Sequence, residues 1–292
     1  MKIAVVTDST SDVTVQEAKD NDITVVPIPV IIDDKTYLDK VDITAEKLFE
    51  TQRNGASFPK TSQPSLGTML ELFDKLHAEG YEAIITITLT SAISGFYNTL
   101  LTVAKDHPEY NLHPYDSGMT VRSIGYLALA AARMAKKGKS VEEIFAKLDE
   151  IRASIDVLFV VDDLQNLVRG GRLSNASAFI GNMLHIKPLL TFDSKTYQIK
   201  SFDKVRSLKR AIKKSEEIAD KKIAELPYKD KLRFIIYNSN DETQAEEVAQ
   251  HFREKYPNQP VEMQVFDAVV ATHLGEKSLG ITWLLDIDKI DL

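Results

Sequence analysis

The chain has 292 residues, 43% of them hydrophobic and 27% charged, so it carries enough apolar material for one large domain or two ordinary ones. Its net charge of -7 at pH 7 argues against nucleic acid as a partner, because such a chain repels a phosphate backbone. The absence of cysteine excludes disulfides, thiolate catalysis and cysteine-based zinc sites.

The apolar runs and the start of the chain predict a cytoplasmic protein. The amino terminus has a single lysine and too short an apolar run for a signal peptide. No stretch approaches the ~18 apolar residues of a spanning helix, so we expect no membrane span. The lack of cysteine agrees with a cytoplasmic location.

Strand and helix patterns alternate through the first half of the chain. The apolar runs at 2–7 and 83–88 predict strands that are buried on both faces. The run at 23–32 predicts another strand, at a sheet edge or a bulge, because Pro27 and Pro29 cannot donate to a ladder. Side chains suited to cap the intervening helices are Ser11 or Asp12, Thr44, Ser65 and Ser140. This alternation predicts a mainly parallel sheet flanked by helices.

The second half of the chain has a different order of elements. A hairpin is predicted at 186–200, with Asp193 and Ser194 at its tip. Further strands are predicted at 156–161, 232–238, 261–267 and 280–286, and helices around 175–184, 208–224 and 242–256. We therefore expect an α/β protein with two domains. The N-terminal domain, 1–155, is mainly parallel, and the C-terminal domain, 156–292, is mixed α/β.

Loops rich in hydroxyls or acids follow the strands of the first half. They are TDSTSD, LTSAISG and YDSG, and a fourth, KTSQPS, precedes a helix. In open parallel sheets, ligands bind beyond the carboxyl ends of the strands, where helix N-termini offer N–H groups to anions. The loops therefore favour a shared site for an anion or a polar headgroup. The alternative interpretation is that Ser11, Ser65, Ser91 and Ser94 only cap helices.

Several catalytic and cofactor patterns are missing. The segment SAISG lacks the first glycine of a G-x-S-x-G nucleophile elbow, so Ser94 has little support as a nucleophile. No histidines pair at i, i+4, which argues against a dedicated metal site. Neither a G-x-G-x-x-G nor a Walker A pattern occurs, so dinucleotide and P-loop chemistry lack support. His273 precedes Gly275, and this pair predicts a constrained turn.

Two basic segments are candidate anion or partner sites. Arg169 and Arg172 flank two glycines, an arrangement that suits either an anion site or a turn with solvated arginines. Arg206 and Arg210 are spaced i, i+4 in a segment with three further lysines, which predicts a basic helix face. Such a face is either solvated or meets a phosphate or an acidic partner.

Seven segments, in the order in which they occur, match one protein family: VVTDSTSD, KTSQPS, LTSAISGFYN, YDSGMTVRSIGYLALAAARM, VDDLQNLVRGGRLSNASAFIGNMLHIKPLL, KVRSLKRA and VVATHLGEKSLG. On these segments the chain resembles, over essentially its whole length, the DegV family. Its members are bacterial fatty-acid-binding proteins that act as acyl-carrying subunits of fatty acid kinase. The resemblance implies two α/β domains, with the lipid in a deep apolar tunnel between or beneath them.

The resemblance also implies which side chains hold the carboxylate of the lipid. Thr61 in the T-S-Q-P segment and Ser94 in the S-G pair match the two ligands, and the adjoining Ser62 and Gly95 are also expected to bind the headgroup. By the same resemblance, a partner kinase phosphorylates the bound carboxylate to an acyl phosphate. The chain itself is then expected to be a non-enzymatic carrier for a long-chain fatty acid such as palmitate. We expect it to be a monomer without cofactor or metal.

Two further residues match the family near the headgroup. His273 matches the histidine of the H-x-G segment, and Arg172 matches the arginine of the G-R segment. The family often has H-x-G-P-G-x-L-G where this chain has HLGEKSLG. Glu276 and Lys277 thus replace small residues, and we expect the turn beside His273 to differ.

Candidate tunnel-lining residues are apolar, and core packing is the alternative interpretation for each: Phe96, Ile124, Leu127, Phe179, Ile180, Met183 and Leu184. Two rival functions remain open. One is a hydrolase or acyltransferase with Ser94 as nucleophile and His273 as base. The other is a sensor or scaffold whose lipid is only structural.

Overall fold

The structure, a computed structural model, describes residues 1–174, 176 and 186–292. They form two compact units, one made of residues 1–42, 61–153 and 291–292 and the other of residues 43–60 and 154–290. The predicted domains 1–155 and 156–292 stay a prediction. In the structure, residues 43–60 group with the second unit although they precede the predicted boundary.

The elements up to residue 154 alternate between strand and helix. The strands are β1 (Ile3–Asp8), β2 (Ile23–Val26), β3 (Pro29–Ile32), β4 (Lys35–Leu38), β5 (Lys60–Thr61), β6 (Ala83–Thr88) and β7 (Leu112–Asp116). The helices are α1 (Val15–Asn21), α2 (Ala45–Arg53), α3 (Leu66–Ala78), α4 (Phe96–Asp106), α5 (Arg122–Lys136) and α6 (Val141–Ser154).

The first unit is built on a four-stranded sheet in the order β2-β1-β6-β7, in which all neighbours are parallel. The six residues of β1 and the six of β6 are all buried, as continuous apolar runs predict. β2, which follows β1 in the chain, lies on one side of β1 in the sheet, and β6 lies on its other side. The carboxyl ends of β1 and β6 therefore flank a topological switch point, where ligands bind in open α/β sheets.

The single strand predicted at 23–32 is wrong, because the run divides into β2 and β3, which lie in different sheets, but the predicted edge position is confirmed for β2. Pro27 has no N–H for a ladder, and the N–H of Ile28 donates instead to Ser9 Oγ at 3.1 Å. β3 joins a separate three-stranded sheet in the order β4-β3-β5. The segment that carries Thr61 is thus an edge strand of this small sheet.

Most predicted helix caps are confirmed, with one correction. The hydroxyls of Thr44, Ser65 and Ser140 accept hydrogen bonds from the backbone at the starts of their helices. The cap of α1, however, is Thr14 and not Ser11 or Asp12. Its hydroxyl accepts from the N–H of Glu17, whose carboxylate accepts from the N–H of Thr14.

The second unit is built on a mixed six-stranded sheet in the order β10-β9-β8-β13-β11-β12. The strands are β8 (Asp156–Val160), β9 (Lys187–Phe192), β10 (Ile199–Val205), β11 (Leu232–Asn238), β12 (Val261–Val265) and β13 (Leu279–Leu285). The helices of this part are α7 (Gln165–Arg169), α8 (Leu208–Ala224), α9 (Glu242–Lys255) and α10 (Ala268–Leu274). The predicted hairpin is confirmed as β9 and β10. The parallel sheet and the mixed sheet together confirm the α/β class.

The core of the second unit lies where α8 and α9 cover one face of the sheet. Alternate residues of the central strands face these helices, and Phe234, Phe252 and Trp283 are at most 1% exposed there. Trp283 and Phe234 are partners across β13 and β11. The helical prediction around 175–184 lies almost entirely outside the described residues.

The predicted basic helix face is wrong in one respect. Arg206 and Arg210 are not on the same helix, because Ser207 is the N-cap of α8 and Arg206 precedes it. The Ser207 hydroxyl accepts from the N–H of Arg210 at 3.4 Å. Both arginines are exposed, so the segment still presents two cations to solvent.

Candidate functional site

The loops that follow β1 and β6 are joined by a buried carboxylate at the switch point. Asp8 Oδ2 accepts from the N–H of Leu89 at 2.8 Å, while its Oδ1 accepts from the N–H and hydroxyl of Thr10 at 3.0 and 2.6 Å. Burial raises the pKa of Asp8, although these hydrogen bonds act in the opposite direction. Asp8 therefore organises the loops. Sequence reasoning missed this role, although the loop that contains Asp8 was recognised.

The loop after β7 supports the same region with its acidic side chain. The Asp116 carboxylate accepts from the N–H of Ser91 at 3.2 Å and from the N–H of Gly118 at 2.9 Å. The N–H of Thr90 donates to the Met119 carbonyl at 2.7 Å. The backbone N–H groups of Ser91 and Thr90 thus hold the loop after β6 in place.

Ser94 lies directly before α4 and has a hydroxyl proton to donate. Its Oγ accepts from the N–H of Phe96 at 3.3 Å, and among the described residues it donates to none. Gly95, and not Ser94, is the N-cap residue, and it makes no side-chain cap. A hydroxyl that accepts from the protein and keeps its O–H available suits a carboxylate, which only accepts hydrogen bonds.

The structure brings the segment of Thr61 alongside the start of α4. Thr61 is partly buried on β5, and the N–H of the exposed Ser62 donates to the Pro29 carbonyl at 3.1 Å. Gln63 then reaches across to α4, where its Nε2 donates to Thr99 Oγ1 at 2.8 Å. Sequence reasoning quoted this glutamine within its segment and assigned it no role. The four predicted residues of the first unit therefore lie on two segments that Gln63 links.

His273 lies in the second unit, on the last turn of α10 rather than in a turn as predicted. Asp267 caps this helix by accepting from the N–H of Val270 at 2.8 Å, and Gly275 ends it at a φ of 76°. The Nδ1 atom of His273 is shielded from solvent. Gly170 permits this packing, since a Cβ there would lie 2.6 Å from that nitrogen.

The surroundings of His273 favour the neutral ring. Burial, and after it the charge of Arg172, lowers the pKa of His273 from 6.5 to about 4. Burial also lowers the pKa of Arg172, whose Nη1 donates to the Gly170 carbonyl. The headgroup roles that the resemblance implies for these two residues stay predictions.

Acid is expected to destabilise the protein partly through His273. Because its pKa is lower in the folded state, the unfolded chain takes up the proton first as pH falls below 6.5. We expect the free energy of unfolding to drop by up to about 3 kcal/mol more in the wild type than in His273→Gln between pH 6.5 and 4. Urea unfolding at a series of pH values measures this difference, and a difference that stays constant contradicts the prediction.

The turn after His273 contains the residues that depart from the family pattern. Lys277 adopts a φ of 58°, a left-handed conformation that favours glycine, at the position where the family pattern often has glycine. The Glu276 carboxylate accepts from Arg53 and, at 2.8 Å, from Asn240. The chain thus keeps a glycine-like backbone here with larger side chains.

The candidate lining residues divide into those inside and those outside the described part. Phe96, Ile124 and Leu127 are buried in the first unit. Phe179, Ile180, Met183 and Leu184 lie outside the described residues. A pocket of about 440 Å³ in the second unit contains none of the predicted site residues. Its lining consists of Ala45, Glu46, Phe49, Asn238, Asn240, Glu242, Met263, Gln264 and Val265.

Within 1–174, 176 and 186–292, no cluster of three or more histidine or carboxylate side chains is arranged to hold a metal ion. In the same ranges, no helix combines the length and apolar character needed to cross a membrane.

Comparison with known sequences identifies the relatives of the chain. A family model described as "Uncharacterised protein, DegV family" matches residues 2–286. Protein DegV of Bacillus subtilis is 35% identical over 285 residues, which cover 97% of this chain and 99% of the relative. A DegV domain-containing protein of Listeria innocua is 38% identical over 282 residues, which cover 97% of this chain and 98% of the relative.

Solved structures match along the whole length as well. The crystal structure of DegV from Bacillus subtilis, described as a fatty acid binding protein, has a TM-score of 0.86 at 35% identity and covers 98% of this chain and 100% of that one. A fatty acid binding DegV family protein from Streptococcus agalactiae has a TM-score of 0.88 at 32% identity and covers 98% and 99%. Sequence, family pattern and fold agree, and the chain belongs to the DegV family.

Proposed function

We propose that this protein binds a long-chain fatty acid and that Thr61 and Ser94 donate hydrogen bonds to its carboxylate. The observation that carries the proposal is the Ser94 hydroxyl, which accepts from Phe96 and keeps its proton available beside the switch point. The solved relatives from Bacillus subtilis and Streptococcus agalactiae are described as fatty acid binding, which supports the same ligand class. We propose that the protein acts as a cytoplasmic carrier without a cofactor.

The apolar tail and the carboxylate headgroup of a fatty acid contribute to its affinity in different ways. Burying about 15 methylenes at ~0.8 kcal/mol each contributes on the order of 12 kcal/mol before ordering costs. The headgroup then needs only enough hydrogen bonds to offset its desolvation, and each charge-assisted bond contributes about 1.5–3 kcal/mol. Two hydroxyls meet this requirement. Neither hydroxyl adds a positive charge that would reduce the nucleophilicity of the carboxylate toward a phosphoryl donor.

The direct test is to identify what the purified protein carries. We expect mass spectrometry of the denatured, extracted protein to find a long-chain fatty acid, and the delipidated protein to bind palmitate again. If no fatty acid is extracted and the delipidated protein binds none, the proposal fails. Loss of acyl-ester hydrolysis in Ser94→Ala, with lipid binding intact, would favour the serine-enzyme alternative instead.

We further propose that the bound fatty acid is presented to a fatty acid kinase, with Arg206 and Arg210 as contacts. Both cations are exposed near the start of α8 in a chain with net charge -7, so they form a local reversal of charge. Neither lies among the residues proposed for lipid binding. A contact of this kind acts on association and weakens with salt.

Charge reversal at Arg206 and Arg210 is expected to slow acyl-phosphate formation without weakening lipid binding. With a fatty acid kinase and ATP, we expect Arg206→Glu/Arg210→Glu to raise the KM for the loaded carrier about tenfold, because each rim charge mainly affects association. Arg253→Glu serves as the control, at an arginine of α9 whose side chain is 39% exposed. If the charge-reversed variant supports acyl-phosphate formation as well as the wild type does at low salt, Arg206 and Arg210 are not contacts for the kinase.

A further inference from the structure

Gln63 lies against the first turn of α4 although it is exposed. Its Nε2 donates to Thr99 Oγ1 at 2.8 Å. Its Oε1 faces Gly95, where a Cβ would lie only 3.1 Å away. Thr99 is one helical turn after Gly95, and its N–H donates to the Gly95 carbonyl at 3.1 Å. The carboxamide therefore lies along the helix from Gly95 to Thr99, in space that a larger residue at position 95 would restrict.

The two ends of this contact adjoin the two proposed ligands of the carboxylate. Gln63 is two residues after Thr61 on one segment, and Gly95 directly follows Ser94 on the other. The N–H of Ser62 anchors the first segment to the small sheet by donating to the Pro29 carbonyl. The Gln63–Thr99 hydrogen bond thus joins the segment of one ligand to the helix that begins beside the other.

We propose that Gln63 is a positioning residue that holds Thr61 and Ser94 at the spacing one carboxylate requires. This inference rests on the proposed function. Two hydroxyls on separate loops bind the same headgroup well only if their separation is fixed beforehand, since otherwise binding must order them. The Gln63 carboxamide supplies that order through one hydrogen bond and close packing on Gly95.

Glutamine is suited to this position by both length and charge. Asparagine is one methylene shorter, and leucine keeps similar bulk but has no donor for Thr99. Glutamate has the same length, but its carboxylate cannot donate to Thr99. Its negative charge would also lie close to the bound carboxylate of the fatty acid and repel it. We therefore expect Gln63→Glu to weaken fatty acid binding more than Gln63→Leu does.

The test compares two ligands on the delipidated full chain. Kd is measured for palmitate and for its methyl ester, which lacks the carboxylate charge. Gln63→Leu is expected to weaken palmitate about fivefold and the ester less than twofold, because hydrogen bonds to a charged carboxylate contribute more to binding than those to a neutral ester. A change that merely loosened the fold would weaken both ligands alike.

Matched variants isolate the hydrogen bond itself. Thr99→Val is expected to lose as much affinity for palmitate as Gln63→Leu, and the double variant no more than either, because all three break the same bond. Thr99→Ser keeps the hydroxyl and is expected to bind as the wild type does. Gln244→Leu is the control, since this partly exposed glutamine donates to Glu247 at 2.9 Å in the second unit.

The outcomes separate this inference from the proposed function. Equal losses for palmitate and the ester in Gln63→Leu, or wild-type affinity in Gln63→Leu and Thr99→Val, would overturn the positioning role. If Thr61→Val and Ser94→Ala still weaken palmitate in that case, the proposed function stands. A wild-type protein that binds neither ligand would contradict both.

Discussion

Arg122→Met is expected to lower the free energy of unfolding by roughly 2–3 kcal/mol, because it breaks an ion pair between a buried guanidinium and the half-buried carboxylate of Glu17. Arg122 is 5% exposed at the start of α5. Its guanidinium donates to both carboxylate oxygens of Glu17, at 2.7 and 2.5 Å, and to the Asp12 carbonyl at 2.9 Å. Equilibrium unfolding in urea measures the change.

The pH dependence of this loss gives a second check. Burial alone raises the pKa of Glu17, but the hydrogen bonds and charge of Arg122, with the N–H of Thr14, lower it to about 2. A lowered carboxyl pKa contributes stability above the unfolded value of 4.5 and loses it as pH falls toward 2. The difference between wild type and Arg122→Met should therefore shrink over that range.

An exposed ion pair provides the control for Arg122. Arg253→Met removes a pair with Glu246 in which both side chains are exposed, and it is expected to change stability by at most about 1 kcal/mol. A similarly small loss in Arg122→Met would contradict the predicted contribution of the Arg122 pair.

Gly125→Ala is expected to destabilise the protein by more than about 2 kcal/mol, through overpacking against a backbone that has little room to move. A Cβ at position 125 would lie 2.3 Å from the Ser11 carbonyl oxygen. Gly125 is the fourth residue of α5, and within a helix alanine is intrinsically the better helix former by about 1 kcal/mol. The expected sign is thus opposite to the one that helix propensity alone predicts.

Gly67→Ala is the matched control for Gly125→Ala. Gly67 is also helical, in the first turn of α3, and the nearest atom to a Cβ there is Ser65 Oγ at 3.9 Å. This change is expected to be neutral or to stabilise by up to about 1 kcal/mol. If thermal unfolding showed that both variants change the stability in the same direction, the close approach of α5 to the loop after β1 would be contradicted.

Local signals in the sequence predict the regular elements well. The strands β1 and β6 follow from continuous apolar runs, and α8 follows from its periodicity with the bounds Leu208–Ala224. The hydroxyl-rich loops are also recognisable, because parallel sheets place such loops at the carboxyl ends of their strands. These features depend on residues that are close together in the sequence.

What the sequence does not predict depends on contacts between distant segments. Residues 43–60 group with the second unit through contacts to residues far along the chain. No stretch of linker-like composition in the sequence indicates this grouping. The role of Gln63 depends on Thr99, 36 positions away, and the role of Asp8 depends on Leu89, 81 positions away. Arg206 was misplaced on a helix because charge spacing does not show that Ser207 begins that helix.

The central claim is that hydroxyls at Thr61 and Ser94 bind the carboxylate of a fatty acid. The most direct measurement is the Kd of palmitate for delipidated wild type, Thr61→Val, Ser94→Ala and the control Ser65→Ala. Each of the first two variants is expected to bind at least about tenfold more weakly, and the control, which loses only a helix cap, as the wild type does. Wild-type affinity in both Thr61→Val and Ser94→Ala would contradict the account.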